Sequence, residues 1–245
     1  MKKYLPFILL GLGLVAAVGV FFFIRARGKE EVVEDETVAE IPFDKRPFVS
    51  LTPSNDGHWL YLSIEGIKVD AASLDYELLY SLPDGRTQGV PGTVKLDGQS
   101  GVERELLLGS ESSGTFRYDE GVEKGTFTLR FRSDKGKLVG KLTTDFSMQS
   151  GVDEVASVDG MFIYAFSEEL DDYFVAMETF GVPDSFEGTL QKGPYGVFSS
   201  AESELEGMVK LEGGTIQAWL DSSWETLSEG ESSDIGVFIV TASSE

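Results

Sequence analysis

Four carboxylate side chains lie close together in the second half of the chain, in the segment Ser-Glu-Glu-Leu-Asp-Asp. They belong to Glu168, Glu169, Asp171 and Asp172. Carboxylate oxygens are the ligands that a hard cation such as Ca²⁺ prefers. The segment lacks the Asp-x-Asp-x-Asp-Gly spacing of a calcium-binding loop, and a solvated acidic turn is the alternative interpretation. The sequence therefore offers one candidate calcium site.

The sequence has almost no residues for imidazole or thiol chemistry, because His58 is the only histidine and there is no cysteine. A catalytic triad needs a histidine beside a presented nucleophile, and no Gly-x-Ser-x-Gly motif occurs. Zinc would need more histidine or cysteine ligands. His58 lies between Gly57 and Trp59 at a predicted strand start, where we expect an exposed turn residue. We therefore predict that the chain is not an enzyme.

Paired carboxylates are the remaining route to catalysis. A β-sandwich glycosidase needs only two Asp or Glu on facing strands. In a chain with 42 acidic residues, however, such pairs are expected by chance and do not distinguish an enzyme from a non-enzyme. Trp219, Trp224, Tyr164 and Tyr173 could form a sugar-stacking platform, although aromatic residues on strands are more often core residues. A carbohydrate-binding or carbohydrate-active protein is therefore the alternative. A cleft with two carboxylates beside exposed Trp219 or Trp224 would favour it.

Negative charge is concentrated at the C-terminal end of the chain. The whole sequence has a formal net charge of −22, and residues 151–245 carry only Lys192 and Lys210 against 20 acidic side chains. Such a surface repels nucleic acid and attracts cations. We therefore expect no nucleic-acid partner; a cationic protein surface or divalent ions fit residues 151–245. An acidic surface that serves only solubility is the alternative.

An uncharged, apolar run begins at Leu5 and ends at Ile24. As an α-helix it would reach about 30 Å, the thickness of the hydrocarbon core of a bilayer, so it predicts a single membrane span. The run is longer than the apolar part of a signal peptide, about 7–15 residues, which favours an uncleaved signal anchor. Basic residues flank both ends, so the positive-inside rule supports the two membrane orientations almost equally. The signal-like start favours export of the C-terminal part.

Residues 30–47 change composition abruptly after this anchor of residues 1–29. Seven acidic residues and two prolines punctuate the segment, which has too few apolar side chains to form a core. It is therefore predicted to be an extended acidic linker. Two blocks follow it, residues 48–150 and residues 151–245.

The first block shows the period-two alternation of β-strands. Residues 59–67 place Leu60, Leu62 and Ile64 on one face. Residues 74–82, 90–96, 102–108, 125–132 and 138–148 are further predicted strands. In residues 125–132 the apolar side chains of Phe127, Leu129 and Phe131 alternate with Thr128, Arg130 and Arg132. One face of this sheet is therefore predicted to face water.

Turn-forming sequences fall between these strands, at residues 55–57, 83–85, 97–98 and 133–136. About seven short strands in about 100 residues is typical of an immunoglobulin-like sandwich. The segments Tyr76-Glu-Leu-Leu-Tyr80 and Phe127-Thr-Leu-Arg-Phe131 resemble the third and sixth strands of fibronectin type III modules or cysteine-free Ig-like modules. The resemblance covers residues 48–149 and implies a β-sandwich fold, without a particular ligand or activity.

The second block is also predicted to be mostly β, with short apolar strands separated by Gly, Pro and Ser clusters. Ser167 followed by acidic residues resembles a capped helical start, so one short helix is expected at residues 167–172. The fold class is therefore mainly β: an N-terminal membrane helix, an acidic stalk and two β-sandwich-like domains.

These features together predict a single-pass membrane protein whose C-terminal domains are extracytoplasmic. Its predicted role is non-enzymatic, in envelope architecture, adhesion or protein interaction. The alternatives are the carbohydrate-directed protein described above and a membrane scaffold that faces the cytoplasm.

Overall fold

Residues 38–242 are described by a computed structural model of the chain. The predicted anchor, with its bilayer contact at Leu5 to Ile24, lies outside the described residues, as does the linker up to residue 37. Among residues 38–242 no helix is both long and apolar enough to cross a membrane. The described chain is mainly β and its paired strands are antiparallel, as predicted.

The elements are, in chain order, the 3₁₀ turn η1 (Phe43–Lys45) and the strands β1 (Phe48–Pro53), β2 (Trp59–Glu65), β3 (Ser73–Ser81), β4 (Thr87–Lys95), β5 (Val102–Leu107), β6 (Gly109–Ser112), β7 (Thr115–Tyr118), β8 (Lys124–Arg132), β9 (Leu138–Gln149), β10 (Val152–Ala156), β11 (Ile163–Leu170), β12 (Phe174–Glu178), β13 (Thr189–Ser199), β14 (Gly207–Lys210), β15 (Thr215–Leu220), β16 (Ser223–Thr226), β17 (Glu231–Ser232) and β18 (Val237–Ala242).

These strands form four sheets. The largest has nine strands in the order β16-β15-β18-β13-β12-β9-β8-β3-β4. A three-stranded sheet, β1-β2-β5, and a four-stranded sheet, β10-β11-β14-β17, accompany it. Strands β6 and β7 pair only with each other, as a two-stranded hairpin. Alternating apolar side chains from β1, β2 and β5 share one core with β3, β8 and β9, and a second core lies among β10 to β18.

The predicted strand phase is confirmed where the alternation is clearest. Leu60, Leu62 and Ile64 of β2 are buried, whereas Tyr61 between them is 45% exposed. In β8 the side chains of Phe127, Leu129 and Phe131 are fully buried. The opposite face of β8 is drier than predicted, since Thr128 is buried and two arginines are half-buried. Ion pairs account for the two half-buried arginines, because Arg130 binds Glu77 at 2.9 Å and Arg132 binds Asp75 at 2.5 Å.

Strand β9 joins the two predicted blocks. Its residues from Phe146 to Gln149 pair with β12, while its other edge pairs with β8. Val175 and Met177 of β12 belong to the first core, although they come from the second block. The boundary between residues 150 and 151 stays a prediction, and in the structure the nine-stranded sheet continues across it.

The expected helix at residues 167–172 is wrong, because β11 continues through Leu170. Leu170 pairs with Val152 of β10, and the preceding part of β11 pairs with both β10 and β14. Extension of β11 from its paired part at residues 163–166 to the pairing of Leu170 with Val152 overrides a capping signal that can supply only a few local bonds.

Two turns with the same hydrogen bonds connect the first two strands of the three-stranded sheet and of the four-stranded sheet. In the first, Ser54 Oγ donates to Asp56 Oδ1 at 2.6 Å and accepts from the Trp59 N–H at 3.0 Å. In the second, Ser157 Oγ donates to Asp159 Oδ1 at 2.5 Å and accepts from the Phe162 N–H at 3.1 Å. Both follow the pattern Ser-x-Asp-Gly-x-aromatic, 103 residues apart in the numbering. This short repeat was not recognised from the sequence.

A charge placed on the inner face of β2 should unfold the protein. We expect Leu62→Asp to lower the free energy of unfolding by roughly 4 kcal/mol or more, because it buries an unpaired carboxylate. Tyr61→Asp, one residue away on the exposed face, is the matched control and should change stability by less than about 1 kcal/mol. Thermal melts followed by circular dichroism measure both. Equal melting temperatures for the two variants would contradict the strand phase.

Candidate functional site

An open cavity of about 600 Å³ lies between the β3–β4 turn and the β6–β7 hairpin. We call it the Arg86 cleft. Its side chains are predominantly polar and come from two separate parts of the chain: Asp84, Arg86 and Gln88 from the first, and Ser110, Arg117, Tyr118, Asp119 and Glu120 from the second. Such a volume lies within the range of small-molecule sites, about 300–1,000 Å³.

The β3–β4 turn fixes one wall of the Arg86 cleft. Gly85 has φ of +84°, a left-handed conformation that glycine adopts without strain, and the Leu82 N–H donates to the Arg86 carbonyl at 2.8 Å. The carboxylate of Asp84 accepts from the Arg86 backbone N–H at 3.0 Å and from its Nε at 2.7 Å. These bonds from Arg86 hold the pKa of Asp84 below its usual range. The two charged side chains are therefore oriented together, although both are exposed.

The opposite wall is fixed by Asp119. Its Oδ2 accepts a hydrogen bond of 2.9 Å from the hydroxyl of Tyr80, a core residue that is 1% exposed. Burial, together with this carboxylate, raises the pKa of Tyr80 above its ordinary value, so the hydroxyl stays protonated. The Asp119 N–H donates to the Leu108 carbonyl at 2.9 Å. The buried hydroxyl of Tyr80 thus orients the carboxylate of Asp119, which is a hydrogen-bond acceptor at the cleft.

Four rings connect the hairpin to β2, and we call them the aromatic array: His58, Trp59, Phe116 and Tyr118. His58 stacks on Tyr118 with centroids 4.1 Å apart and planes within 9°. Phe116 lies 6.1 Å from Tyr118 in a nearly parallel plane and meets Trp59 edge to face at 5.7 Å. Phe116 and Tyr118 nevertheless remain 42% and 39% exposed. The array holds the hairpin in place and presents aromatic surface beside the cleft.

His58 is not the exposed turn residue that was expected, since its side chain is only 21% exposed. Stacking on Tyr118 covers the ring. Its Nε2 lies 3.4 Å from Glu120 Oε1, and its Nδ1 lies 3.3 Å from Asp56 Oδ2. The buried Nδ1 has no hydrogen-bond partner among the described residues, so its contact with Asp56 is electrostatic. Hydrogen bonds from the Ser54 hydroxyl and the His58 N–H lower the pKa of Asp56.

A second cavity, of about 570 Å³, is lined by His58 and by the segment from Asp119 to Lys124, and we call it the His58 cleft. Apolar side chains line much of it, among them Val122, Met148 and Tyr173. It lies where β9 leaves the first core and β10 begins. Both clefts share Asp119 and Glu120.

The four candidate calcium ligands do not form a cluster. Glu168 and Glu169 are neighbours on β11, where successive side chains point to opposite faces, and Asp171 and Asp172 follow that strand. Within residues 38–242 no group of three or more potential metal-ligating side chains comes together. Calcium binding at these residues stays a prediction that carries no geometric support here.

The four aromatic residues of the predicted sugar platform lie in three different places. Trp219 and Trp224 are directly opposite each other on β15 and β16, half-buried, with centroids 5.5 Å apart. Tyr164 is fully buried in the second core and donates to the Leu205 carbonyl at 2.6 Å. Tyr173 lines the His58 cleft. A common platform of these four is therefore not formed.

Two carboxylates with opposite pKa shifts share a small cavity of about 200 Å³ beside Tyr195. Burial alone would raise the pKa of Asp159, but hydrogen bonds from Ser157, the Met161 N–H and the Tyr195 hydroxyl outweigh it and lower the pKa. The pKa of Glu178 is raised mainly by burial of its carboxyl group, although the residue as a whole is exposed. Arg46 opposes that shift and Asp159 adds to it.

Comparisons with protein-family models, with curated proteins and with solved structures found no match to this chain. Its function is therefore inferred from its own residues.

The Arg86 cleft and the aromatic array were missed at the sequence level. Pro83-Asp84-Gly85 was recognised only as a turn, and Phe116 and Tyr118 lie in a segment for which no strand was predicted. A weak hairpin signal was present in the sequence. Ser113-Gly114 is a turn-forming pair between two short segments, and Phe116 and Tyr118 occupy alternate positions of the second segment. That Tyr80 reaches Asp119, 39 residues later, could not be read from local pattern.

The Asp159 hydrogen bonds make an acid-dependent contribution to stability. Because the folded-state pKa of Asp159 lies below its ordinary value of 3.8, the ionised form stabilises the fold above that pH. The contribution is lost as the pH falls through the folded-state pKa. Tyr195→Phe removes one donor at 2.8 Å and should cost about 1 kcal/mol at pH 7. Melting temperatures between about pH 7 and pH 3 should show this difference shrinking with acid.

Tyr164→Phe is the matched control for this pH experiment, because the hydroxyl of Tyr164 donates to a neutral backbone carbonyl. Its cost should not change with pH. Identical pH profiles for the two phenylalanine variants would contradict the role given to Asp159.

Proposed function

We propose that this chain is a single-pass, membrane-anchored surface protein whose β-rich region is a non-enzymatic interaction module. The apolar run from Leu5 to Ile24 supports the anchor. The region after the linker is proposed to consist of two immunoglobulin-like or fibronectin type III-like parts, with the second part engaging a cationic partner.

Strand order supports the sandwich proposal for the first part. The three-stranded sheet β1-β2-β5 shares a core with the consecutive strands β9-β8-β3-β4 of the large sheet. Two antiparallel sheets that face each other across one core are the architecture of Ig-like and fibronectin type III modules. The segments that carried the resemblance lie on β3 and β8. The second part also begins with an antiparallel three-strand arrangement, β10-β11-β14. Its strands in the large sheet, however, are continued by β9 of the first part, which pairs with β12.

The observation that carries the functional proposal is the unneutralised acidic surface of the second part. Nearly all acidic residues between positions 151 and 242 are exposed, with Asp172 and Asp234 half-buried. Only one ion pair is found in this described part, between Lys210 and Glu154 at 3.4 Å. Carboxylates without neighbouring cations produce a field that extends into solvent and attracts basic surfaces. A basic protein surface is therefore the proposed partner.

A carbohydrate-active role that uses paired carboxylates is less well supported than binding. The cavity shared by Asp159 and Glu178 is only about 200 Å³, and its one aromatic side chain, Tyr195, is held by its bond to Asp159. Opposite pKa shifts in a carboxylate pair are the feature of acid–base sites that this pair does share.

Association with a basic probe should depend on the acids of the second part. We expect the binding of a lysine 20-mer to the full chain to lose most of its association rate as the salt concentration rises from 0.1 to 1 M, because the Debye length falls from about 10 to about 3 Å. The triple variant Glu202→Gln, Glu204→Gln and Glu206→Gln should slow association roughly twofold to tenfold at low salt. Biolayer interferometry measures the rates.

The matched control neutralises three exposed acids of the first part, through Glu103→Gln, Glu105→Gln and Glu111→Gln. This variant should associate almost as fast as the parent chain. An equal loss in both variants would mean that the probe senses net charge alone, against a partner surface in the second part.

Calcium and sodium chloride should be indistinguishable in their effect on stability. Because the candidate ligands form no cluster, added Ca²⁺ is expected only to screen repulsion between acids. Melting temperatures at matched ionic strength should therefore rise equally in both salts. A larger rise with millimolar Ca²⁺, removed by Asp171→Asn together with Asp172→Asn, would establish the calcium site instead.

Protease treatment of intact cells tests the proposed orientation. An extracytoplasmic β-rich region should be cleaved from the cell surface at the linker of residues 30–47. Survival of the full-length chain would favour the cytoplasmic scaffold.

A further inference from the structure

We propose that the Arg86 cleft is a binding site for an uncharged carbohydrate. This inference goes beyond the cationic partner of the second part and depends on different residues. It rests on the balance of charges in the cleft, on its preset hydrogen-bonding groups and on the exposed ring of Tyr118.

The charges of the cleft nearly cancel. Two arginines, Arg86 and Arg117, line the cleft together with three acidic residues, Asp84, Asp119 and Glu120. A net charge close to zero gives little attraction for an anion such as a phosphate, and little for an oligocation. The cleft differs in this respect from the acidic surface of residues 151–242. Its ligand should therefore be neutral.

An apolar ligand would also fit poorly. Covering these groups without replacing their water contacts would leave donors and acceptors unpaired, which costs about 1–3 kcal/mol for each group. A sugar hydroxyl both donates and accepts, so it can bridge a carboxylate and a neighbouring guanidinium or amide. The cleft places such groups side by side, since Asp84 adjoins Arg86 and the half-buried Gln88 follows on β4.

Two of the acceptors are oriented before any ligand arrives. Asp84 is held by two hydrogen bonds from Arg86, and Asp119 by the buried hydroxyl of Tyr80. Groups that are already oriented lose less conformational entropy on binding, which matters for weak, polar ligands.

Tyr118 supplies the aromatic surface on which the C–H face of a sugar ring can pack. The residue is 39% exposed and lines the cleft, and stacking on His58 fixes the plane of its ring. A rigid aromatic ring next to alternating donors and acceptors is the combination that an amphiphilic sugar ring requires.

Saturation-transfer NMR tests this proposal on the full chain, purified in a detergent without a sugar head group. The neutral probes are cellotetraose, maltotetraose and chitotetraose. Tetragalacturonate and a chitosan tetramer are the charged probes of similar size. We expect transfer to at least one neutral probe, with weaker or no transfer to the charged ones. No transfer to any neutral probe, or stronger binding of a charged one, would overturn the proposal.

Two variants tie the binding to the cleft. Arg86→Gln and Gln88→Ala should each weaken binding of the neutral probe at least about fivefold while the melting temperature stays unchanged, because Arg86 is exposed and Gln88 half-buried. Arg104→Gln, the same substitution at an exposed site on β5 outside the cleft, should leave binding as it is. Unchanged binding by both cleft variants would place the sugar elsewhere and reject the site. The glutamine variants of residues 202–206 should bind the sugar normally, so the two proposals fail separately.

Discussion

Strand β9 pairs with β8 along one edge and with β12 along the other, and the arrangement of the two halves depends on this double pairing. An unpaired strand edge exposes N–H and C=O groups that invite association with other chains. Here the edge that the first half would leave open is covered by the second half. Burial follows the same route, because Val175 and Met177 of β12 complete the first core. The two halves therefore share hydrogen bonds and apolar contacts, and they are expected to respond to destabilisation together.

The sheet also determines which surfaces remain available for binding. The β3–β4 turn and the β6–β7 hairpin lie outside the ladder, so their polar groups can face solvent. The hairpin has no ladder partner other than itself, and the rings of the aromatic array hold it against β2. This explains why aromatic side chains at this position are only partly buried. The charge-balanced Arg86 cleft and the acidic second half thus offer two different chemistries on one scaffold.

Local pattern was sufficient for the strands whose two faces differ. Alternation in β2 and β8 gave the correct inner residues, because burial of one face selects an apolar residue at every second position. It failed at residues 167–172, where β11 continues to the pairing of Leu170 with Val152 of β10 and overrides a capping signal. Neither the β9–β12 pairing nor the bond from Tyr80 to Asp119 leaves a local trace, since each joins residues far apart in sequence. The candidate site depends on such contacts, which explains why His58 was expected to be exposed and the Arg86 cleft was missed.

Strand β18 is the last described strand in chain order, yet it lies inside the nine-stranded sheet, between β13 and β15. During translation, β13 and β15 are therefore complete while the gap between them is still empty. At about 5–20 residues per second, the interval between the end of β15 and the arrival of β18 is on the order of seconds. Until β18 is inserted, the facing edges of β13 and β15 have no ladder partner. Unpaired edges of this kind are where the same strand of another copy can pair, so the last strand to be made is also the one that closes the sheet against exchange between molecules.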